Sequence, residues 1–432
     1  MSTACHGVRG FFSISAAAMT IVVTTAVVLL SGPQLAAGAR VLINHAELRR
    51  RDIATAAGGG GGDGACATAV APFGYPCEEH EVTTQDGYIL GLQRIPRGRI
   101  GGVTGGGAAA ARQPVLLQHG VLVDGMTWLL GSPEESLPYI LADQGFDVWI
   151  ANNRGTRWSS RHVSLDPKSR SYWNWSWDDI VVNDMPAIVD YVCSHTGQKP
   201  HYVGHSMGTL VALAAFSEGR MVDKLKSAAL LSPVAYLSHI TTPIGVVLAK
   251  AFAGELISDL LGIAEFNPAS PQVSNLVRTF CRKPGMNCYD LLTSFTAADI
   301  FLKYEPQPTS TKTLIHLAQT VRDGVLTKYD YVMPDANVAR YGQADPPAYD
   351  MAVIPAWFPL FLSYGGRDSL SDPADVALLL DDLRRRGHAG DRLTVQYLPQ
   401  LAHADFVIGV CAKDLVYNDV ISFFRIRMGF NQ

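Results

Sequence analysis

Three side chains in this sequence have the chemistry of an acyl-transfer centre: a serine hydroxyl at Ser206, a carboxylate at Asp368 and an imidazole at His403. Serine at its ordinary acidity is a poor nucleophile, so a nearby base must take its proton as it attacks an acyl carbon. A histidine can do so, and an aspartate can hold the ring and stabilise its cationic form. The developing negative oxygen then needs fixed donors, for which the backbone amides of Val121 and Met207 are the candidates.

The serine sits in Gly204-His205-Ser206-Met207-Gly208, between the β-type run His201 to Val203 and a small, apolar helical run from Thr209 to Ser217. A strand, a sharp turn and a helix in that order force the serine backbone into a strained conformation, with residues two before and two after it nearly touching. In a chain of 40 glycines a chance G-x-S-x-G is expected on the order of 0.2 times, so the flanking segments must carry the assignment. Met207 opens the helix, where amide donors point outward.

The acid and the base come from the ends of two later strands. Pro359 to Tyr364 reads as a strand, and the loop Gly365 to Pro373 follows. In that loop Asp372 is the natural helix N-cap beside proline at the first helical position, which leaves Asp368 free for another task. In a Ser, acid, His order the base lies beyond the acid, and of the 12 histidines His388 and His403 qualify. His388 falls in Arg384-Arg385-Arg386-Gly387-His388, which reads as a solvated loop, whereas His403 directly follows the strand Thr394 to Leu398. His205 is expected to point away from Ser206 and to be structural.

The elements that must position these groups alternate. Glu81 to Arg94 reads as a hairpin turning at Asp86-Gly87. Pro114 to Gln118 is an apolar strand with His119-Gly120-Val121-Leu122 at its carboxyl end, a candidate wall of the site. Phe146 to Ile150 and Ser227 to Leu231 are further strands, and Ile180 to Cys193 has helical spacing. Alternation of this kind predicts a mostly parallel central sheet with helices on both faces. From Ala235 to Asp350 the alternation breaks, which predicts an inserted cap, with Leu248, Phe252, Leu256 and Leu260 on one helical stripe. The α/β core is thus expected in two parts, 66–234 and 351–432, around an insertion at 235–350.

The amino terminus has Arg9, an almost uncharged run from Phe11 to Leu30, and Ala37-Gly38-Ala39. That order predicts a signal peptide over 1–39, cleaved near Arg40, and entry to the secretory route. An uncleaved anchor is the alternative. Residues 40–65, with five glycines from Gly58, and the stretch Gly101 to Arg112 read as flexible linkers. Secretion permits disulfides, and Cys66 with Cys77 and Cys281 with Cys288 are candidate pairs. Cys193 and Cys411 sit in apolar runs and read as buried thiols. Asn174-Trp175-Ser176 is a formal glycosylation site among Tyr172, Trp173 and Trp177, which read as core.

Composition narrows the classes. The chain has 432 residues, 48% hydrophobic and 17% charged, with net charge -4, and its lysines and arginines are scattered, so nucleic acid is not an expected partner. No zinc-type C-x-x-C or H-E-x-x-H occurs, and neither metal nor cofactor is expected.

Six ordered segments carry a resemblance: Glu-Val-Thr-Thr-Gln-Asp-Gly-Tyr-Ile-Leu, Gln-His-Gly-Val-Leu, Asp-Val-Trp-Ile-Ala-Asn-Asn-Arg-Gly, Tyr-Val-Gly-His-Ser-Met-Gly, Tyr-Gly-Gly-Arg-Asp and His-Ala-Asp-Phe. Over roughly Cys66 to Phe424 the chain resembles the acid lipase family of α/β-hydrolases, which holds gastric and lysosomal lipases, and most closely its plant triacylglycerol lipases. The resemblance implies an α/β-hydrolase fold and hydrolysis of neutral-lipid esters at a lipid–water interface. It implies a triad of Ser206, Asp368 and His403, oxyanion amides at Val121 and Met207, and a secreted or vacuolar/lysosomal location. Mammalian members tend to have Gln where this chain has Met207, a change to which a backbone donor is insensitive. The region after Phe295 is shorter than in related plant enzymes, which implies a trimmed lid. A general carboxylesterase or an acyltransferase on the same triad, and an inert lipid-binding homologue, are the alternatives.

Overall fold

The computed structural model describes residues 64–99, 112–240, 262–271 and 304–428. The expected signal peptide, the segment 40–63, the linker at 100–111, the stripe from Leu248 to Leu260, the pair Cys281 and Cys288, and the shortened region after Phe295 all lie outside these residues.

Five short strands are buried along their whole length: β3 (Pro114–Gln118), β4 (Asp147–Ala151), β6 (His201–His205), β7 (Ser227–Leu231) and, but for Tyr364, β10 (Leu360–Gly365). Near-continuous apolar runs of this kind require cover on both faces. Successive side chains supply it by pointing to opposite sides. Leu116, Trp149, Tyr202, Leu230 and Leu362 join one core with the helices Met185–Thr196, Met207–Ser217 and Pro373–Arg385. Val115, Leu117, Ile150, Val203, Leu231 and Phe361 join the other, with the helices Leu137–Asp143 and Asn418–Met428.

With the hairpin β1 (Glu78–Thr83) and β2 (Tyr88–Ile95), and β11 (Leu393–Leu398), the sheet runs β1-β2-β4-β3-β6-β7-β10-β11, and the short β5 (Arg161–His162) pairs with β2. From β4 through β11 every neighbour is parallel, whereas β1, β2 and β5 are antiparallel. The chain order reverses at β3, whose neighbours are β4 on one side and β6 on the other. The crevice outside the carboxyl ends of β3 and β6 is therefore where such a sheet binds its ligand.

Between β7 and β10 a two-stranded ribbon, β8 (Glu265–Phe266) with β9 (Thr309–Ser310), leads into the helix Thr311–Asp323. Ser310 caps that helix through the Thr313 N–H, and Gly324 ends it in the left-handed region. Its buried face, Leu314, Ile315 and Ala318, packs with Phe266 against Val121 and Leu122.

Two sequence expectations are corrected. His388 is not solvated: it is buried, close to Leu383 and Phe358 at the amino end of β10 and thus across the sheet from the serine. Cys411 is not a thiol but disulfide-bonded; Cys193 is a half-buried free thiol. The turn of positively charged residues disguised the first, and an apolar local sequence the second. Cys66 and Cys77 do form a disulfide. Asn174 is exposed while its neighbours Trp173 and Trp175 are buried, and Ser176 is buried as the cap of the helical turn at Trp177.

Candidate active site

Ser206 lies between β6 and the helix Met207–Ser217 with φ 57° and ψ -123°. A non-glycine residue held there costs on the order of 1–3 kcal/mol, which packing on both sides must offset. The Ser206 N–H donates to the Leu231 carbonyl of β7 at 3.2 Å, and its own carbonyl accepts from Thr209 and Leu210 of the helix. The two motif glycines are where strand and helix meet. A Cβ on Gly204 would lie 2.8 Å from the Gly208 carbonyl oxygen, and one on Gly208 would lie 2.4 Å from that of Gln118.

The loop after β3 lies against the serine because β3 and β6 are parallel neighbours in register, Gln118 opposite Gly204. A Cβ on Gly120 would stand 2.9 Å from Ser206 Cβ and 3.2 Å from its Oγ. His119, wholly buried, fixes that loop. Its Nε2 accepts the Asn153 N–H at 3.0 Å, so Nδ1 carries the hydrogen and donates to the Gly120 carbonyl at 2.8 Å. Burial lowers its pKa and keeps it neutral. In a planar trans peptide C=O and N–H point oppositely, so anchoring the Gly120 carbonyl on His119 turns the Val121 N–H away from that ring. Among the described residues neither the Val121 nor the Met207 N–H donates a hydrogen bond.

Asp368 and His403 come from the loops after the parallel neighbours β10 and β11, joined by the Arg367 N–H donating to the Leu401 carbonyl at 3.0 Å. His403 Nδ1 lies 3.0 and 2.9 Å from the two Asp368 oxygens. The Leu370 and Ser371 N–H groups donate to Oδ1 at 2.9 and 2.8 Å. Burial of Asp368 raises its pKa, but the His403 charge and these hydrogen bonds outweigh it, and the carboxyl ends below its usual value. Asp372 caps the next helix through the Ala374 N–H, as its position in the sequence predicts.

Gly120, Val121, His205, Ser206 and His403 line one cavity with about 30 Å³ of water-accessible space. No hydrogen bond joins the Ser206 hydroxyl to His403 among the described residues; such contacts often tighten only when substrate binds. His205 adds a contact that local sequence does not reveal: its Nε2 donates to the His403 main-chain carbonyl at 2.9 Å. Burial and the neighbouring His403 lower its pKa to about 3, so it stays a neutral donor.

Comparison with known proteins gives the family and the fold. A family model of the partial alpha/beta-hydrolase lipase region matches residues 66–132, and one of the alpha/beta hydrolase fold matches residues 113–262. Triacylglycerol lipase 2 of Arabidopsis thaliana is 55% identical over 371 residues, 84% of this chain and 88% of its own. The chain belongs to the acid lipase family of α/β-hydrolases. Triacylglycerol lipase 1 of the same plant is 38% identical, covering 84% of this chain and 91% of its own. Gastric triacylglycerol lipase of Rattus norvegicus is 35% identical, covering 81% and 89%. As a member, the chain is a carboxylic ester hydrolase of the lipase type. Among the described residues no helix is long and apolar enough to cross a membrane.

Proposed function

We propose that this chain hydrolyses acyl esters of neutral lipids, triacylglycerols first, by a covalent acyl-enzyme on Ser206. The observation that carries this reading is a strained serine sharing one cavity with a histidine that a buried aspartate grips by both oxygens. His403 Nε2 takes the Ser206 proton as Oγ attacks the ester carbonyl carbon, and Asp368 stabilises the resulting imidazolium. The Val121 and Met207 N–H groups receive the tetrahedral oxyanion, where losing one donor costs roughly 3 to 4 kcal/mol. The imidazolium then protonates the departing alcohol. Water, deprotonated by His403, attacks the acyl carbon, the bond to Ser206 Oγ breaks, and the imidazolium returns its proton to the serine as the fatty acid leaves.

The apolar face of the helix Thr311–Asp323 over Val121 and Leu122 suits an acyl chain, and supports reading 235–350 as a cap over the site. The names of the relatives at 55% and 35% identity support triacylglycerol as substrate. The Cys66–Cys77 bridge supports passage through an oxidising compartment, with a signal peptide over 1–39 and a secreted or vacuolar/lysosomal destination.

The test is to express the mature chain and compare release of free fatty acid from emulsified long-chain triacylglycerol with hydrolysis of a soluble short-chain ester. Activity on the emulsion is expected. Turnover of the soluble ester alone demotes the reading to carboxylesterase, and acyl product on an added alcohol in place of free acid makes the chain an acyltransferase.

A further inference from the structure

Behind the loop that carries Val121, two buried carboxyl groups share one cation. Asp124 and Glu305 are 0% and 3% exposed, and the positive charge against them is Arg157, whose side chain is one-third exposed. Asp124 is well supplied with donors. Its Oδ1 accepts the Met126 N–H at 2.8 Å, and its Oδ2 accepts Arg157 Nη2 at 2.8 Å and Nε at 3.2 Å. Among the described residues Glu305 receives only the Asp124 N–H, on Oε1 at 3.1 Å, and its buried Oε2 has no donor. With two acids, one guanidinium and such unequal shares of donors, Glu305 is the one that keeps a proton. Burial and the Asp124 charge both push the Glu305 carboxyl well above its usual value. Among the described residues the charged groups that face it are Asp124 and Arg157.

The segment around Glu305 grips that loop once more, and the Arg157 backbone as well. The Gln307 N–H donates to the Leu122 carbonyl at 2.8 Å, and Gln307 Oε1 accepts the Arg157 N–H at 3.2 Å. Leu122 sits at φ 60°, a left-handed conformation that a branched side chain keeps only when its surroundings hold it. Its neighbour Val121 owns the amide assigned to the oxyanion. Nothing in the local sequence links Asp124 to a glutamate 181 residues away.

We infer that Glu305 is a positioning residue for the oxyanion loop: protonated on Oε2, it holds the Leu122 to Asp124 backbone in place, and its ionisation releases that backbone. This rests on the assignment of Val121 given above. Ionisation sends the Oε2 proton to solvent and leaves two buried carboxylates facing one guanidinium, whose repulsion parts the Glu305 segment from Asp124. The sign follows from the raised value in the folded chain. The stabilisation is complete at pH below the ordinary carboxylate range and is lost as pH rises through the folded-state value. The proton thus favours an assembled oxyanion loop on the acidic side.

The experiment uses the full mature chain with Glu305 intact, E305Q and E305A. It reads kcat/KM against pH on a soluble short-chain ester, with fluorophosphonate labelling of Ser206 alongside. Glutamine keeps the shape and the acceptor for the Asp124 N–H but cannot ionise. The alkaline limb of E305Q is expected to move up by about one pH unit or more relative to the unmodified enzyme. E305A, which strands the Asp124 N–H, is expected to lose about tenfold at every pH. An E305Q limb that superimposes on that of the unmodified enzyme overturns the proposal, as does an E305Q as impaired as E305A throughout. Failure of the serine assignment looks different, because the unmodified enzyme itself then labels somewhere other than Ser206.

Discussion

Asp368 meets the imidazole of His403 with both carboxylate oxygens, at 3.0 and 2.9 Å from Nδ1, while Asp372, four residues on, only caps a helix. Asp368→Asn should therefore lower kcat by about 10³- to 10⁴-fold, because the amide favours the wrong tautomer. Asp372→Ala should leave kcat nearly intact and cost about 1 kcal/mol of stability. Steady-state kinetics and thermal unfolding of the two variants separate these outcomes.

Glycine is required beside the serine for two different reasons, and alanine scanning should divide them. Gly120→Ala drives a methyl to 3.2 Å from Ser206 Oγ, so kcat should fall about 10²-fold or more through a displaced oxyanion loop. Gly208→Ala drives a methyl to 2.4 Å from a backbone carbonyl, so it should unfold the chain more easily, by about 3 kcal/mol. Melting temperature set beside kcat for each variant is the check.

Much of this site was legible in the sequence because its parts sit at element ends, where local pattern is strong. Ser206 is fixed by a strand, a turn and a helix, and Asp368 is singled out because Asp372 already serves as the cap. His403 follows from the order of the three groups. Contacts across long separations left no such trace. His205 reaches the His403 carbonyl 198 residues on, and Glu305 reaches Asp124 across 181. His388 misled because three neighbouring arginines imply solvent, although the residue itself is buried close to Leu383 and Phe358. The apolar run around Cys411 hid a bonded cysteine.

Acid should weaken the fold through His201. Burial, with Lys226 and Arg427 nearby, lowers its pKa from 6.5 to about 3, and Nε2 has no partner among the described residues. The unfolded chain binds that proton first, so the stabilisation is complete above 6.5 and is lost as pH falls toward 3. His201→Gln should flatten the stability profile over that window by up to about 1.4 kcal/mol per pH unit. Denaturant unfolding at a series of pH values tests this, and equal slopes for both proteins count against it.

The Cys66–Cys77 bridge closes a loop across a separation of 11 residues and ties the first turn of the described chain to the start of the hairpin. Replacing both cysteines by serine should cost roughly 3 kcal/mol and leave the active site working in whatever fraction folds. Melting temperature and kcat per labelled serine give the comparison.

Every proposed step of catalysis requires Ser206 to carry the acyl group. Treating the mature enzyme with a fluorophosphonate, and mapping the adduct by peptide mass while following residual activity, tests this directly. One adduct per chain, on Ser206, should form in step with the loss of ester hydrolysis and should be absent from Ser206→Ala. Full inactivation with the adduct on another residue, or a Ser206→Ala protein that still turns over ester, would contradict it.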